Sequence, residues 1–219
     1  MTVRRHHCSI TNLTEEEATF WRTVPSAVAS DAMGRSGAMV GAIKPLHPSM
    51  KLLSQARTAD CMVGDNSALH ALINRSGAYE ALVVNGQGSE DIALFGGVLC
   101  RAAMARGLDG LVIDGAVRDS AEIIDLGFPC FARAVVPRGP HKGFGGVIDG
   151  PIACGGLSVE PGDIVIGDAD GVSVVPYHRR EDIRAEVEKI QMREKRALEL
   201  IAEGRSPSEL YGDPEVKVI

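Results

Sequence analysis

Arg118, Asp119 and Glu122 lie within five residues of one another, directly behind the apolar run Leu111–Ile113. They belong to the densest polar cluster of the chain, Asp114-Gly115-Ala116-Val117-Arg118-Asp119-Ser120-Ala121-Glu122. Its position places the cluster at the C-terminal end of a strand, where open α/β sheets put their ligands. Asp119 and Glu122 are three apart, so on a helix both carboxylates share a face. Such a pair suits a hard divalent cation, since Mg²⁺ keeps several waters and often takes only one or two carboxylates. The same spacing, followed by Ile123 and Ile124, also reads as a capping box that opens a helix. Arg118 fits a cap less well. Its guanidinium would either pair with Asp114 or grip a substrate carboxylate through its bidentate fork.

A second feature lies upstream, in Phe95-Gly96-Gly97-Val98-Leu99. Two glycines open a helix there, and bare N–H groups at a helix N-terminus bind anions such as a carboxylate or small keto acid. The alternative is a turn that needs glycine for its backbone alone. The pattern is not G-x-G-x-x-G, so a dinucleotide is poorly supported. A third acid, Glu194, falls in the apolar seam of a C-terminal helix set by Ile183, Val187, Ile190, Ala197 and Ile201. A carboxylate in that position sits at a solvated edge, is paired, or has a function. His70 reads as packing or surface, and Asp65-Asn66 as a helix cap. The basic loop Arg138-Gly139-Pro140-His141-Lys142-Gly143 reads first as an exposed turn, within reach of an anionic substrate. Signatures of a serine nucleophile, a zinc protease helix or a phosphate-binding P-loop are missing from the sequence.

The elements that must hold these residues alternate. The first 35 residues read as helical, with Asn12-Leu13-Thr14 leading into a helix at Glu15-Glu16-Glu17, and the spacing predicts further helices over Pro25–Met33, Ser67–Ser76, Gly97–Arg106 and His178–Glu203. Strands are expected at Thr58–Val63, Ala81–Asn85, Leu111–Asp114, Pro129–Ala134, Ile164–Asp168 and Val172–Pro176. The succession points to α/β units, while Phe128–Pro176 carries only strand and turn signals. The expected architecture is a layered α/β/β sandwich in one domain spanning 1–219, with a helical segment over 1–35 and a C-terminal helix over 178–204.

The chain has 219 residues, 45% of them hydrophobic and only 4% aromatic, with 25 glycines. An aliphatic core and many turns follow. The net charge of −6 lacks the basic excess of a nucleic-acid binder, and no apolar run approaches the roughly 20 residues of a membrane span. The start, MTVRRHHCSI, lacks the apolar stretch of a signal peptide. The five cysteines are odd in number, widely spaced and without a C-x-x-C pair. A cytoplasmic protein with reduced thiols is the expectation.

The run GGVLCRAAMARGLDGLVIDGAVRDSAEIIDLGFPCFAR, followed by GGLSVEPGDIVIGDADGVSVVP, resembles the RraA-like family. That family includes the class II 4-hydroxy-4-methyl-2-oxoglutarate/4-carboxy-4-hydroxy-2-oxoadipate aldolases. The resemblance runs from about Ser30 to the C-terminal helix. It implies a swivelling α/β/β fold in homotrimers or hexamers with intersubunit active sites. It also implies Mg²⁺ or Mn²⁺ and cleavage of 2-oxo acids through pyruvate enolate, with oxaloacetate decarboxylation as a companion activity. In the family pattern Asp119 anchors the metal, Arg118 binds substrate and steadies the enolate oxygen, and the Gly96–Leu99 backbone holds the pyruvyl carboxylate. One aldolase branch carries an Asp at the position of Gly97. Another has glycine there and a compensating acid three residues after the Asp, which matches Glu122. Glu194 matches a carboxylate contributed by a neighbouring subunit. The alternatives are a non-catalytic regulator that binds a ribonuclease, a keto-acid-binding protein without catalysis, and a methyltransferase. The last lacks a glycine-rich adenosylmethionine loop.

Overall fold

Apolar side chains alternate along the central strands, and that alternation sorts the core into two faces. The computed structural model describes residues 2–206, 208–212 and 215–218. Its strands are β1 (Val3–Arg5), β2 (Lys44–Pro45), β3 (Leu52–Cys61), β4 (Glu80–Asn85), β5 (Ala93–Phe95), β6 (Gly110–Val117), β7 (Cys130–Val135), β8 (Gly146–Ile148), β9 (Ile152–Cys154), β10 (Leu157–Val159), β11 (Ile164–Asp168) and β12 (Gly171–Val175). The helices are α1 (Glu15–Arg22), α2 (Ser26–Ala32), α3 (Ser67–Ile73), α4 (Gly97–Ala105), α5 (Ser120–Asp125), α6 (Arg180–Ala202) and α7 (Ser208–Tyr211), with a 3-10 turn at Tyr177–Arg179.

Strands β3, β4, β6 and β7 run parallel in that order, and β5 adds in parallel to the far end of β6. Leu82, Val84, Leu111, Ile113 and Cys130 point to one face, where Leu69, Leu72, Leu99, Ala103 and Ile123 of α3, α4 and α5 cover them. Ala81, Val83, Val112 and Phe131 point to the other face and meet Ile152, Cys154, Val159, Val165, Val172 and Val174. This is the α/β/β layering expected from the sequence. The β11–β12 hairpin is not a separate layer, however, because β11 pairs antiparallel with the first half of β3 and the sheet curls continuously into it. The outer side of that hairpin is covered by a third cluster. It joins Trp21, Val28 and Ala29 of α1 and α2 to Ile183 and Val187 of α6 through Ile164, Ile166 and Val175.

Three sequence expectations change. The segment over 1–35 is not wholly helical: Val3–Arg5 forms β1 in parallel with β8, a pairing with residues more than a hundred positions away that local pattern does not reveal. The Leu111–Asp114 strand continues to Val117, with an irregular register against β7 between Ile113 and Ala116. Asp114 therefore lies in the middle of the strand rather than at its end. In α6 the buried line runs Ile183, Val187, Ala197 and Leu200, while Ile201 is exposed.

Helix α1 shows why one cap forms where another does not. Thr14 accepts a hydrogen bond from the Glu17 N–H at 3.2 Å, and the Glu17 carboxylate accepts from the Thr14 N–H at 2.8 Å. This reciprocal capping box satisfies two otherwise orphaned donors. Asp119, at the equivalent position of α5, makes no such bond.

Candidate active site

The site is built where β5 and β6 end side by side. Gly96 and Gly97 follow β5, Arg118 and Asp119 follow β6, and the Arg118 N–H donates to the Phe95 carbonyl at 2.9 Å. Asp119 adopts a left-handed backbone, φ 57° and ψ 38°, which aspartate tolerates better than most residues. That twist turns its carboxylate away from α5 and towards α4. Oδ2 accepts from the Gly97 N–H at 3.0 Å, within the first turn of a nine-residue helix whose leading amides favour negative charge. The capping-box alternative for Asp119 and Glu122 is thereby excluded. Glu122 instead pairs with Arg101, at 2.9 Å between Oε1 and Nε.

Both glycines are required by close approach. A Cβ on Gly96 would sit 2.7 Å from Asp119 Oδ2 and 2.8 Å from Arg118 Cγ. One on Gly97 would sit 2.5 Å from the carboxyl carbon of Glu122. The carboxylates of Asp119 and Glu122 thus flank the Gly96-Gly97 turn, one against each glycine. Both side chains are nearly half exposed to water.

Arg118 is half exposed, and its ion pair is a loose one with Asp119, 3.6 Å from Nε to Oδ2. Asp114 is not its partner. That carboxylate is consumed by Arg133, at 2.7 Å from Nε, and by the Gly155 N–H at 2.8 Å, which pins β6 to the strand layer. The guanidinium of Arg118 extends under the basic loop, where a Cβ on Gly139 would lie 2.6 Å from Nη1.

A cleft of about 150 Å³ opens here, lined by Gly96, Val98, Leu99 and Arg118, by Pro140 and Lys142 of the basic loop, and by Asn66 and His70, which sequence reasoning assigned to a cap and to packing or surface. At about 30 Å³ per water, the space suits a small acid rather than a dinucleotide. Asn66 is buried, donates its amide to the Leu94 carbonyl at 2.9 Å, and leaves Oδ1 without a partner. Burial and the nearby Lys142 ammonium hold His70 below the ordinary histidine pKa, so its ring is neutral at pH 7.

Asp65 brings these segments together. Fully buried, it accepts from the Ser67 N–H at 2.8 Å through Oδ1, and from the Gly143 and Phe144 N–H groups at 2.6 and 3.0 Å through Oδ2. The helix cap expected of Asp65-Asn66 is therefore made by Asp65, and the same carboxylate ties the Lys142 loop to α3. Glu194 lies elsewhere. It is exposed on α6 and lines a separate hollow with Asp31, Arg35 and Arg193.

This fold agrees with the relatives of the chain. The family model described as RraA-like, Aldolase/RraA, matches residues 26–174. A protein of Halalkalibacterium halodurans named "Putative 4-hydroxy-4-methyl-2-oxoglutarate aldolase" is 34% identical over 173 residues, covering 79% of this chain and 82% of that one. The crystal structure of a protein from Pseudomonas syringae pv. tomato matches with TM-score 0.78 at 22% identity, covering 91% of this chain and 98% of that one, and it shares the fold. The structure titled RNA-processing inhibitor RraA from Thermus thermophilis matches with TM-score 0.64 at 30% identity, covering 70% and 93%. The chain belongs to the RraA-like family.

Proposed function

We propose that the protein is a divalent-cation-dependent carbon–carbon lyase that cleaves small 2-oxo acids to pyruvate. The observation that carries this reading is the position of Arg118, loosely paired, in the wall of one small cleft, with the Asp119 carboxylate bound to the head of α4 directly beside it.

Among the described residues no three His, Cys, Asp or Glu side chains converge into a metal cage. Mg²⁺ or Mn²⁺ needs no such cage, because hard cations of this kind can be held by one or two carboxylates and complete their shell with water and substrate. Asp119 would hold the ion, with Glu122 on the other side of the Gly96-Gly97 turn engaging its water. When bound, the cation acts as a Lewis acid towards the 2-oxo group of the substrate.

The chain's own groups supply the rest. The Gly97 N–H is taken by Asp119, so the backbone amides of Val98 and Leu99 at the head of α4 receive the substrate carboxylate. Cleavage beside a keto group leaves negative charge on the former carbonyl oxygen, and Arg118 is placed to stabilise that charge as it develops. Lys142 and the neutral His70 close the anionic end of the cleft. Decarboxylation of oxaloacetate needs no base. Aldol cleavage of 4-hydroxy-4-methyl-2-oxoglutarate must also remove the 4-hydroxyl proton, a task for a carboxylate-held water.

Glu194 and Arg118 of one chain line different hollows. In this reading Glu194 completes the cleft of a neighbouring copy, and the working assembly is a homotrimer or a hexamer. The test is pyruvate formation from oxaloacetate and from 4-hydroxy-2-oxo acids, with Mg²⁺ and with EDTA. Saturable turnover that EDTA abolishes is expected. Turnover no greater than that of free Mg²⁺ with every substrate would refute the lyase. The Thermus thermophilis relative favours a second reading, a ribonuclease regulator acting by surface contact. Inhibition of a ribonuclease that persists in EDTA would favour that reading.

A further inference from the structure

A larger hollow, about 530 Å³, lies at the opposite end of the sheet from Arg118. It is framed by α1, the start of β3, and the residues that lead into β4 and β6, Tyr79 and Asp109. Its volume is in the range of small-molecule sites. A second hollow of about 430 Å³ adjoins it and shares Arg22, Lys51, Leu52 and Leu53, so the two cations stand where the hollows meet.

Four features of this groove suit a ligand. Arg22 and Lys51 are exposed, and among the described residues neither has an ion-pair partner. Tyr79 is 72% exposed, yet it is held in a left-handed backbone, φ 66°, a costly conformation for an aromatic residue. Strain of this kind concentrates at functional sites. Asp109 is half buried and uses Oδ2 to accept from the Ser54 hydroxyl at 2.7 Å, leaving Oδ1 to a donor from outside. Burial also lifts the Asp109 carboxyl above the ordinary aspartate range, against the opposing pull of Arg22. The floor between these groups is apolar, formed by Leu13, Leu52 and Leu53.

We propose that this groove is a second ligand site, separate from the lyase cleft, for a nucleoside monophosphate. Its phosphate meets Arg22 and Lys51, its planar ring lies against Tyr79, and a ribose hydroxyl or ring amine donates to Asp109.

The experiment is calorimetric titration of the purified full chain with adenosine monophosphate, and separately with inorganic phosphate and with adenosine. The single tryptophan, Trp21, lines the adjoining hollow and gives an independent fluorescence readout. Saturable binding of the monophosphate is expected, weakened about tenfold or more, or by at least 1.4 kcal/mol, in the Arg22→Ala/Lys51→Ala double variant. Tyr79→Gly removes the ring and relieves the backbone, so it should weaken binding without lowering the melting temperature. Binding should be unchanged in Arg118→Ala, and oxaloacetate turnover unchanged in the double variant. Absence of binding at millimolar monophosphate would overturn the proposal. So would full affinity in the double variant, inorganic phosphate binding as tightly as the nucleotide, or loss of binding in Arg118→Ala.

Discussion

The carboxylate of Glu122 occupies the space that a side chain on Gly97 would need, its carboxyl carbon 2.5 Å from the position of a Cβ there. Two residues 25 positions apart in sequence thus compete for one volume beside Asp119. An acid can be supplied to this spot from 97 or from 122, but not from both. Gly97→Asp alone should displace Glu122 and reduce metal-dependent turnover. Gly97→Asp combined with Glu122→Ala should recover much of it. The non-additivity is measured by a double-mutant cycle on kcat/KM, and strict additivity of the two losses would contradict the shared volume.

Asp119 combines backbone strain with its proposed role as the cation's ligand, and substitutions separate the two. Asparagine and glycine accept the left-handed conformation, whereas alanine carries a penalty of roughly 1–2 kcal/mol. Asp119→Ala should lower the melting temperature by a few degrees, at about 2–4 °C per kcal/mol for a chain of this size. Asp119→Asn and Asp119→Gly should melt near the parent. All three should lose Mg²⁺-dependent turnover, which thermal melts and activity assays on the same samples will show.

Asp65 makes stability depend on pH. Burial raises its carboxyl pKa, but hydrogen bonds from Ser67, Phe144 and Gly143 outweigh burial and hold it below the ordinary value of about 3.9. A carboxyl depressed in the folded state stabilises fully above its unfolded pKa, and the contribution is lost as pH falls through the folded pKa. Asp65→Asn should therefore be less stable than the parent at pH 7. The gap should close as pH falls below about 4. Denaturant titrations across this range check the sign, and a gap that widens in acid would contradict it. Because Asp65 also anchors the Lys142 loop, the same variant should raise KM for the anionic substrate.

All five cysteines are free, and Cys61, Cys100, Cys130 and Cys154 are buried. Burial pushes the Cys61 and Cys154 thiols up to about 12 and Cys100 up to about 11, so none is a ready nucleophile. A thiol reagent should label only Cys8 quickly in the native protein, and all five residues after denaturation. Fast native labelling of a second thiol would show that the core opens.

Much of this was legible in the sequence because the signal is local. The apolar runs of β4, β6 and β7 and the glycine-led start of α4 announce themselves within a few residues. Arg118, Asp119, Gly96 and Gly97 could be singled out on the same ground. What stayed hidden depends on distant pairing. Asn66, His70 and Lys142 come from two segments that meet through the Asp65 carboxylate and the bridge between Asp65 and His141. The single hint was the basic, glycine-rich loop. Asp114 read as part of the polar cluster because it directly follows the apolar run Leu111–Ile113, and only the fold shows its carboxylate taken by Arg133 and the Gly155 amide. The left-handed turn at Asp119 has no sequence signature that separates it from a cap.

The central claim is that Arg118 stabilises negative charge formed by carbon–carbon cleavage in this cleft. Its most direct measurement is the rate of pyruvate formation from oxaloacetate with Mg²⁺, for the parent and Arg118→Ala. Parent turnover that saturates with substrate is expected, with kcat falling by about 10²–10³ in the variant while its fold and melting temperature are kept. Turnover in Arg118→Ala equal to that of the parent, or parent turnover no faster than free Mg²⁺, would contradict the account.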